Sequence, residues 1–513
     1  MKYRSWILKL ALFATGMSGI VAEYVLSTLA TYFLGDSVFQ WTMIVSVMLF
    51  SMGLGSRLSK RFKNDLLLSF ISIEFTLSVL TAFVSVLTYM YSAHFGDNTV
   101  MIYGMSILVG MLIGMEIPLV IRINEQFQEL RVNVSSSMEN DYYGSLAGGV
   151  FFAFIGLPYI GLTYTPFLLG SVNFIVAILL VFVVIKQLDK ATRKKIFISA
   201  PLVVVVLVTG VFIAGPIIKY GEQSRYKDRV VYEKQTRYQK IVMTSTGNGF
   251  FLFINGNQQL SSMDEVLYHE PLVHPAMALA GRPHHVLVLG GGDGGAVREV
   301  LKYESVEKVT LVDLDPEMTR LGKEHPLLTA MNHNALNDKK VSIFNEDGYV
   351  FLEKDSSFYD VIIVDLPDPK TVELGRLYSR EFYLLCRRRL TIHGTLVTQA
   401  GSPYYAAKAF NCIVKTMGAA DFDVLPLHNQ VVTMGEWGWV LGAKTTPPGG
   451  MKYAVQQLEL GAIPTQWINT EALTHITSFG KNTFPGERDS VRVNRIHDPV
   501  LYRYYLDGTW DIY

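Results

Sequence analysis

Residues 286–303 read VLVLGGGDGGAVREVLKY. Val286-Leu287-Val288-Leu289 is a short, fully apolar run of the kind that forms a strand buried on both faces. It enters Gly290-Gly291-Gly292-Asp293-Gly294-Gly295, and a helical pattern follows from Ala296 to Tyr303. Gly290, Gly292 and Gly295 satisfy G-x-G-x-x-G between a strand and a helix, the context in which that spacing indicates nucleoside binding. Three further apolar runs follow, each ending in an acid. Lys308–Val312 precedes Asp313, Val341–Phe344 precedes Glu346-Asp347-Gly348, and Tyr359–Val364 precedes Asp365. Strands alternating with helices predict a parallel sheet covered on both faces, with ligands at the carboxyl ends of the strands.

Asp313 stands 23 positions after Gly290, where an acid meets ribose hydroxyls, and Asp347 is placed to meet an adenine amine. Asp293 lies inside the glycine turn. A carboxylate there repels a pyrophosphate, and equally the carboxylate of S-adenosylmethionine. It suits a ligand with adenosine at one end and a free ammonium at the other, as in decarboxylated S-adenosylmethionine. Asp365-Leu366-Pro367-Asp368 adds two carboxylates three residues apart. One can orient and deprotonate an attacking amine, and the other can hold the far ammonium of a diamine. A metal site built on paired carboxylates is the competing idea. No His or Cys cluster supports it, so no metal is expected.

Upstream, residues 230–262 predict short strands and tight turns. Ile241–Thr244 and Phe250–Ile254 are strand candidates, with turns at Gly247-Asn248-Gly249 and Asn255-Gly256.

The chain has 513 residues, zero net charge, 50% hydrophobic and 18% charged residues. This is too long for one ordinary domain and too apolar for an average soluble chain. Two cysteines, Cys386 and Cys412, exclude a disulfide scaffold, and the absence of a basic excess excludes a nucleic-acid partner. Seven apolar runs of bilayer-spanning length occupy about 6–34, 38–56, 66–93, 99–121, 142–160, 162–185 and 196–218. Lys2 and Arg4 precede the first run, which is too long for a signal peptide and reads as a retained helix. The expected organisation is therefore a seven-helix transmembrane domain (1–219), a small β-rich unit (220–283), the α/β domain (284–445) and a C-terminal extension (446–513). Trp467, Tyr502, Tyr504, Tyr505, Trp510 and Tyr513 make that extension aromatic. They suit ordinary packing better than a ligand cage.

Arg57, Lys60, Arg61 and Lys63 follow the second run, and Lys186, Lys190, Arg193, Lys194 and Lys195 lie between the sixth and seventh. By the positive-inside rule both loops and the N-terminus are cytoplasmic, and seven spans place everything after 219 outside. Glu23, Glu74 and Glu116 fall in or near spans, where they either line a path for a cationic solute or hydrogen-bond within the bundle.

The quoted stretch closely resembles the polyamine aminopropyltransferases (spermidine synthases). The resemblance runs from about 225 to 445 through Tyr238-Gln239, Asp264 to Glu270 (DEVLYHE), Leu311-Val312-Asp313, Glu346-Asp347-Gly348 and Tyr359 to Pro369. The apolar half resembles the multi-helix region fused to such domains in some bacterial proteins. The resemblance implies a Rossmann-like, class I methyltransferase-like domain. It implies that Asp365 is the general base, Asp368 an acceptor-amine contact, and Asp293 the contact to the aminopropyl amine. Gln239 and His269 become substrate-pocket residues, Asp313 the ribose-binding acid, and Asp347 and Gly348 the adenine contact. The co-substrate implied is decarboxylated S-adenosylmethionine with no other cofactor, and the resemblance also implies a homodimer through the soluble domain.

Two features depart from the family pattern. The Gly-Pro that usually follows the acidic pair is missing, and Lys370 and Arg376 put cations near a diamine pocket. The tyrosine that many relatives place after the last active-site strand has no clear counterpart; His428 and Asn429 occupy that region. The expected function is transfer of an aminopropyl group to putrescine or a similar polyamine by a multi-pass cell-membrane enzyme. A methyltransferase using intact S-adenosylmethionine and a polyamine sensor or transporter are the rivals. The donor is a cytosolic metabolite, which opposes the outward topology. Either one run does not span or the donor is exported. Substrate supply is taken as the harder constraint, so the catalytic domain is expected on the cytoplasmic side.

Overall fold

The computed structural model describes residues 2–35, 37–125, 128–185, 188–247, 249–481 and 490–510. Lys186, Asn248 and Tyr513, used in the sequence reading, lie outside the described residues. The chain forms two compact units, 1–230 with 235–240, and 231–234 with 241–513.

The first unit is helical: α1 (Lys2–Leu34), α2 (Ser37–Ser59), α3 (Leu66–Phe95), α4 (Thr99–Asn124), α5 (Leu130–Phe151), α6 (Gly161–Val184) and α7 (Lys190–Ser224). Six helical stretches are long and apolar enough to cross a bilayer, one of them running 55 residues from Leu130 to Val184. That stretch is not one straight rod. A π-helical segment, Phe152–Ile160, leads to Gly161 at φ +77°, and the Thr165 hydroxyl donates back to Gly156 O at 2.9 Å. The two legs pass α1 in opposite senses. Phe13 and Met17 meet Gly144 and Gly148, whereas Ser18 bonds Asn173 and Val21 lies by Leu169 and Pro166.

The other neighbours show the same alternation. Met48 and Met52 meet Gly110 and Gly114, so α2 and α4 run the same way. Phe75 meets Phe174 while Phe83 meets Phe167, so α3 and α6 are antiparallel. Residue 224 therefore leaves the bundle at the end opposite residue 2. Glycines at these crossings allow backbone contact: a Cβ on Gly144 would meet Phe13 O at 2.0 Å.

Glu74 and Glu116 are buried and Glu23 is partly buried. The Thr15 hydroxyl donates to Glu74 at 3.3 Å. Arg122 does not pair with Glu116; it donates to the carbonyls of Ser59 and Phe62 at 3.1 and 2.5 Å, satisfying the end of α2. The turn at 236–239 also belongs to this unit and contains Gln239, whose carbonyl accepts from Thr236 N–H at 2.9 Å.

A four-stranded sheet follows, β1 (Arg229–Gln235), β2 (Lys240–Thr246), β3 (Gly249–Ile254) and β4 (Asn257–Ser261), in sequential order; 231–234 and 241 onward belong to the second unit. Asn255 and Gly256 both have positive φ (49° and 78°), the geometry of the expected tight hairpin turn. Helix α8 (Val266–Leu279) follows and leads into the main sheet. Its strands are β5 (His285–Gly290), β6 (Lys308–Val312), β7 (Val341–Phe344), β8 (Tyr359–Asp365), β9 (Leu390–Gly401), β10 (Asp423–Val431) and β11 (Gly435–Ala443). Their order is β10-β11-β9-β8-β5-β6-β7; β11 alone runs against the other six, pairing antiparallel with both β10 and β9, while the remaining pairings are parallel. The mostly parallel α/β expectation holds.

The boundary expected at 283 cuts through packed structure. Leu272, Val273, Ala276 and Met277 of α8 share a core with Val286, Val288 and Trp439. Residues of the C-terminal extension, including Ile468, Leu473, Leu501 and Tyr505, are likewise buried in the cores of this unit.

Candidate active site

Strand order reverses at β5: β6 and β7 lie on one side and β8 on the other. Such a switch point opens a crevice at the strand ends. Gly290 pairs with Asp365 in register and takes φ +81°; a Cβ there would strike Asp365 O at 2.0 Å. Helix α9 (Gly295–Leu301) starts directly after the turn. A Cβ on Gly295 would lie 2.3 Å from the His269 ring, so this glycine lets α8 close on the turn.

Asp293 folds over the start of α9, with Oδ1 accepting from Gly295 N–H at 2.7 Å. His269 Nε2 lies 3.8 Å from the same oxygen, and its Nδ1 lies 2.7 Å from Glu265 Oε2. Asp365 accepts from the Tyr268 hydroxyl at 2.7 Å. One ligand atom each from His269, Asp293 and Asp365 falls within a 4.8 Å circle. The structure thus brings together three residues 24 to 96 positions apart in the chain. Burial pushes the Asp365 carboxyl up to about 6, opposed by the His269 charge and the Tyr268 hydrogen bond. Burial lowers His269, but its bond to Glu265 and the charges of Glu265, Asp293 and Asp365 outweigh this and hold it at about 9. The imidazole is therefore cationic at neutral pH.

Behind His269 stands a chain of charges. Arg298 grips Glu265 with two nitrogens at 2.7 and 2.8 Å and donates to Glu299 at 2.7 Å. Burial raises Glu265, but His269 and Arg298 overcome it and hold it at about 2. Glu270, His274 and Glu299 also have cation-ligating spacing. Their acids are already engaged: Glu270 accepts from the N–H groups of Gln466, Trp467 and Ile468, and Glu299 from Arg298 and Lys302. A cleft of about 380 Å³, lined in part by Phe250, Asp264, Glu265, Arg298 and His333, borders this ion pair and is not lined by Asp365.

Asp313 accepts from Gly292 N–H (3.1 Å) and Asp315 N–H (2.9 Å), and burial pushes it up to about 7 against those bonds. Asp347 caps the helix Gly348–Lys354 through Tyr349 and Val350 N–H, while its other oxygen takes Arg376 at 2.5 Å. Arg376 therefore sits at the acid expected to meet adenine, away from the diamine side where the sequence reading put it. Lys370 stays near Asp368, whose carboxyl burial pushes up against the Lys370 charge. Asp368 Oδ2 accepts from Tyr505 OH at 2.5 Å. His428 and Asn429 are structural here: His428 pairs with Glu436, and Asn429 donates to Leu267 O at 2.9 Å. Gln239 belongs to the helical unit.

Sequence reasoning missed Tyr268, Glu265, Arg298 and Tyr505. The first two lie inside the quoted DEVLYHE segment, and Arg298 lies in the helix that follows the glycine turn within the quoted 286–303 stretch, so a signal was at hand. Tyr505 comes from the tail, 137 residues beyond Asp368, and no local pattern marks it.

A doubly wound sheet with a glycine turn at its switch point, acids at successive strand ends and a His-Asp-Asp cluster between them defines a nucleoside-dependent group-transfer enzyme. The family model of the spermine/spermidine synthase domain matches residues 265–449. Polyamine aminopropyltransferase 2 of Aquifex aeolicus is 39% identical over 504 residues, covering 98% of each chain. The polyamine aminopropyltransferases of Leptospira interrogans and Oceanobacillus iheyensis are 37% and 36% identical over 96% of both chains. A solved spermidine synthase in complex with the transition state analogue AdoDATO aligns with 51% of this chain and 89% of its own, at 26% identity and a TM-score of 0.46. The chain belongs to the polyamine aminopropyltransferase family, and its activity is aminopropyl transfer.

Proposed function

We propose that the protein is a multi-pass membrane enzyme that moves the aminopropyl group of decarboxylated S-adenosylmethionine to putrescine or a similar polyamine. The observation that carries this reading is the meeting of Asp293 and Asp365 beside His269. Asp293 already uses the Gly295 N–H that an anionic group at this turn would need, so the site favours a cationic arm. Adenosine lies along Asp313, Asp347 and Gly348, and the aminopropyl ammonium lies at Asp293. The acceptor amine, held at Asp365, attacks the carbon next to the sulfonium. The new C–N bond forms as the C–S bond breaks, its electron pair passes to sulfur, and neutral methylthioadenosine leaves. Asp365 takes the amine proton. The sulfonium supplies the activation, so no metal or further cofactor is invoked.

Membrane insertion is supported by the outward faces of the helices. Phe197, Leu202, Val205, Val208 and Phe212 of α7 are each more than half exposed, a surface that suits lipid. Donor supply argues for a cytoplasmic catalytic unit. The alternating seven legs, with Arg57–Lys63 and Lys190–Lys195 at the same end as residue 2, oppose it. A phosphatase reporter fused after Tyr513 decides: alkaline phosphatase activity there places the unit outside and requires an exported donor. A homodimer is carried over from the family resemblance, and light scattering of the detergent-solubilised protein tests it.

The functional test is methylthioadenosine release by the purified full-length protein, with decarboxylated or intact S-adenosylmethionine and putrescine, cadaverine or spermidine. Release is expected only with the decarboxylated donor and an amine, and Asp365→Asn should reduce it at least about 100-fold. Equal use of intact S-adenosylmethionine, or full activity in the variant, overturns the reading.

A further inference from the structure

The loop after β8 contains a cation that the reaction does not use. Asp368 Oδ2 is occupied by Tyr505, while Oδ1 is buried and has no partner at hydrogen-bond geometry among the described residues, with the Gln399 side chain also acting on the carboxyl besides Tyr505 and Lys370. Oδ1 faces Gly401, where even an added Cβ would stay 3.8 Å away. An acceptor held by one amine at Asp365 would bring its second ammonium to this oxygen. Two residues on, the chain turns back through Lys370 N–H to Asp368 O at 2.7 Å. The Lys370 side chain then crosses to β4, with Nζ 2.6 Å from Asn257 Oδ1 and 5.6 Å from the centre of the Tyr505 ring. The ring that bonds Asp368 thus also carries the Lys370 ammonium on its face, and the Lys370 charge acts on Asp368.

We propose that Lys370 is a specificity-determining residue: a built-in competitor for the acceptor's distal ammonium, which blunts the site's preference for a second charge at the far end of the amine. Asp368 alone would attract a second cation. The Lys370 charge acting on Asp368 offsets part of that attraction, so a diamine gains less over a monoamine of the same length than Asp368 alone would give. Asn257 and the Tyr505 ring hold the ammonium in place, so displacing it also costs those contacts. The inference rests on the proposed acceptor side of the site.

The test compares putrescine with butylamine, which has the same carbon chain and no second charge. Affinities are measured by calorimetry on full-length detergent-solubilised protein saturated with methylthioadenosine, in the unaltered enzyme, Lys370→Met and Lys370→Arg. Lys370→Met should tighten putrescine about fivefold, the scale of one screened like charge, and move butylamine less than about twofold. Lys370→Arg keeps the charge and should keep the unaltered ratio. The inference is overturned if Lys370→Met leaves putrescine affinity unchanged or weaker, shifts both amines equally, or is matched by Lys370→Arg. Binding is read without turnover, so failure of methylthioadenosine release is a separate result that strikes the proposed function instead.

Discussion

Replacing Tyr268 with Phe removes the hydroxyl that donates to Asp365 at 2.7 Å and leaves the ring to pack on Trp439. As the proposed base, Asp365 must be ionised to accept the amine proton, and burial places its carboxyl at about 6. Acceptor kcat/KM should therefore fall below that pH, about tenfold per unit, and level off above it. A hydrogen bond to a charged group contributes about 1.5 to 3 kcal/mol, part of which water recovers once the hydroxyl is gone. One unit of pKa corresponds to about 1.4 kcal/mol, so the acid limb should move up by about 1 unit, to near 7. At pH 7 the ionised fraction then drops from about nine-tenths to about one-half, and at pH 6 from about one-half to about one-tenth. The assay is methylthioadenosine release between pH 5 and 9 at low acceptor concentration, with the limb fitted for both enzymes. A lower plateau with an unmoved limb would refute the reasoning, because Tyr268 would then act on the substrate and not through the base.

Asp293→Asn should cut the binding preference for decarboxylated over intact S-adenosylmethionine by about tenfold, since the repelled carboxylate is then tolerated; competition against labelled nucleoside reads it. If Asp313 is the ribose ligand as proposed, methylthioadenosine affinity should be constant above its value of about 7 and decline as pH falls below it, because the carboxylate is the form that accepts both ribose hydroxyls. Asp313→Asn should flatten that profile in calorimetry. Tyr505→Phe should change putrescine affinity while leaving nucleoside affinity within about twofold, because the Tyr505 hydroxyl donates to Asp368 on the proposed acceptor side. Thermal melts should show two opposite pH limbs. Glu265, depressed to about 2, contributes stability above about 4.5 that is lost as pH falls toward 2. His269, raised to about 9, contributes stability below about 6.5 that is lost as pH rises through 9. His269→Gln should remove the alkaline limb.

What could be read from the chain alone is what depends on neighbours in sequence. The run from Val286 to Tyr303 contains its strand, turn and helix within 18 residues, and Asn255-Gly256 prescribes the positive φ of its hairpin. Asp313, Asp347 and Asp365 were legible as strand-end acids because an apolar run followed by an acid is a local pattern. The apolar runs were legible for the same reason, since span length follows from helical rise. Tertiary structure decided the partners. Arg376 reads as a cation near the diamine until the fold gives it to Asp347. Tyr505 reads as a tail aromatic until helix packing puts its hydroxyl on Asp368. The reversal at Gly161, inside a stretch whose composition reads as unbroken helix, sets the odd number of alternating legs. In each case the deciding contact joins residues far apart in the chain, whose meeting depends on the whole fold rather than on any local propensity.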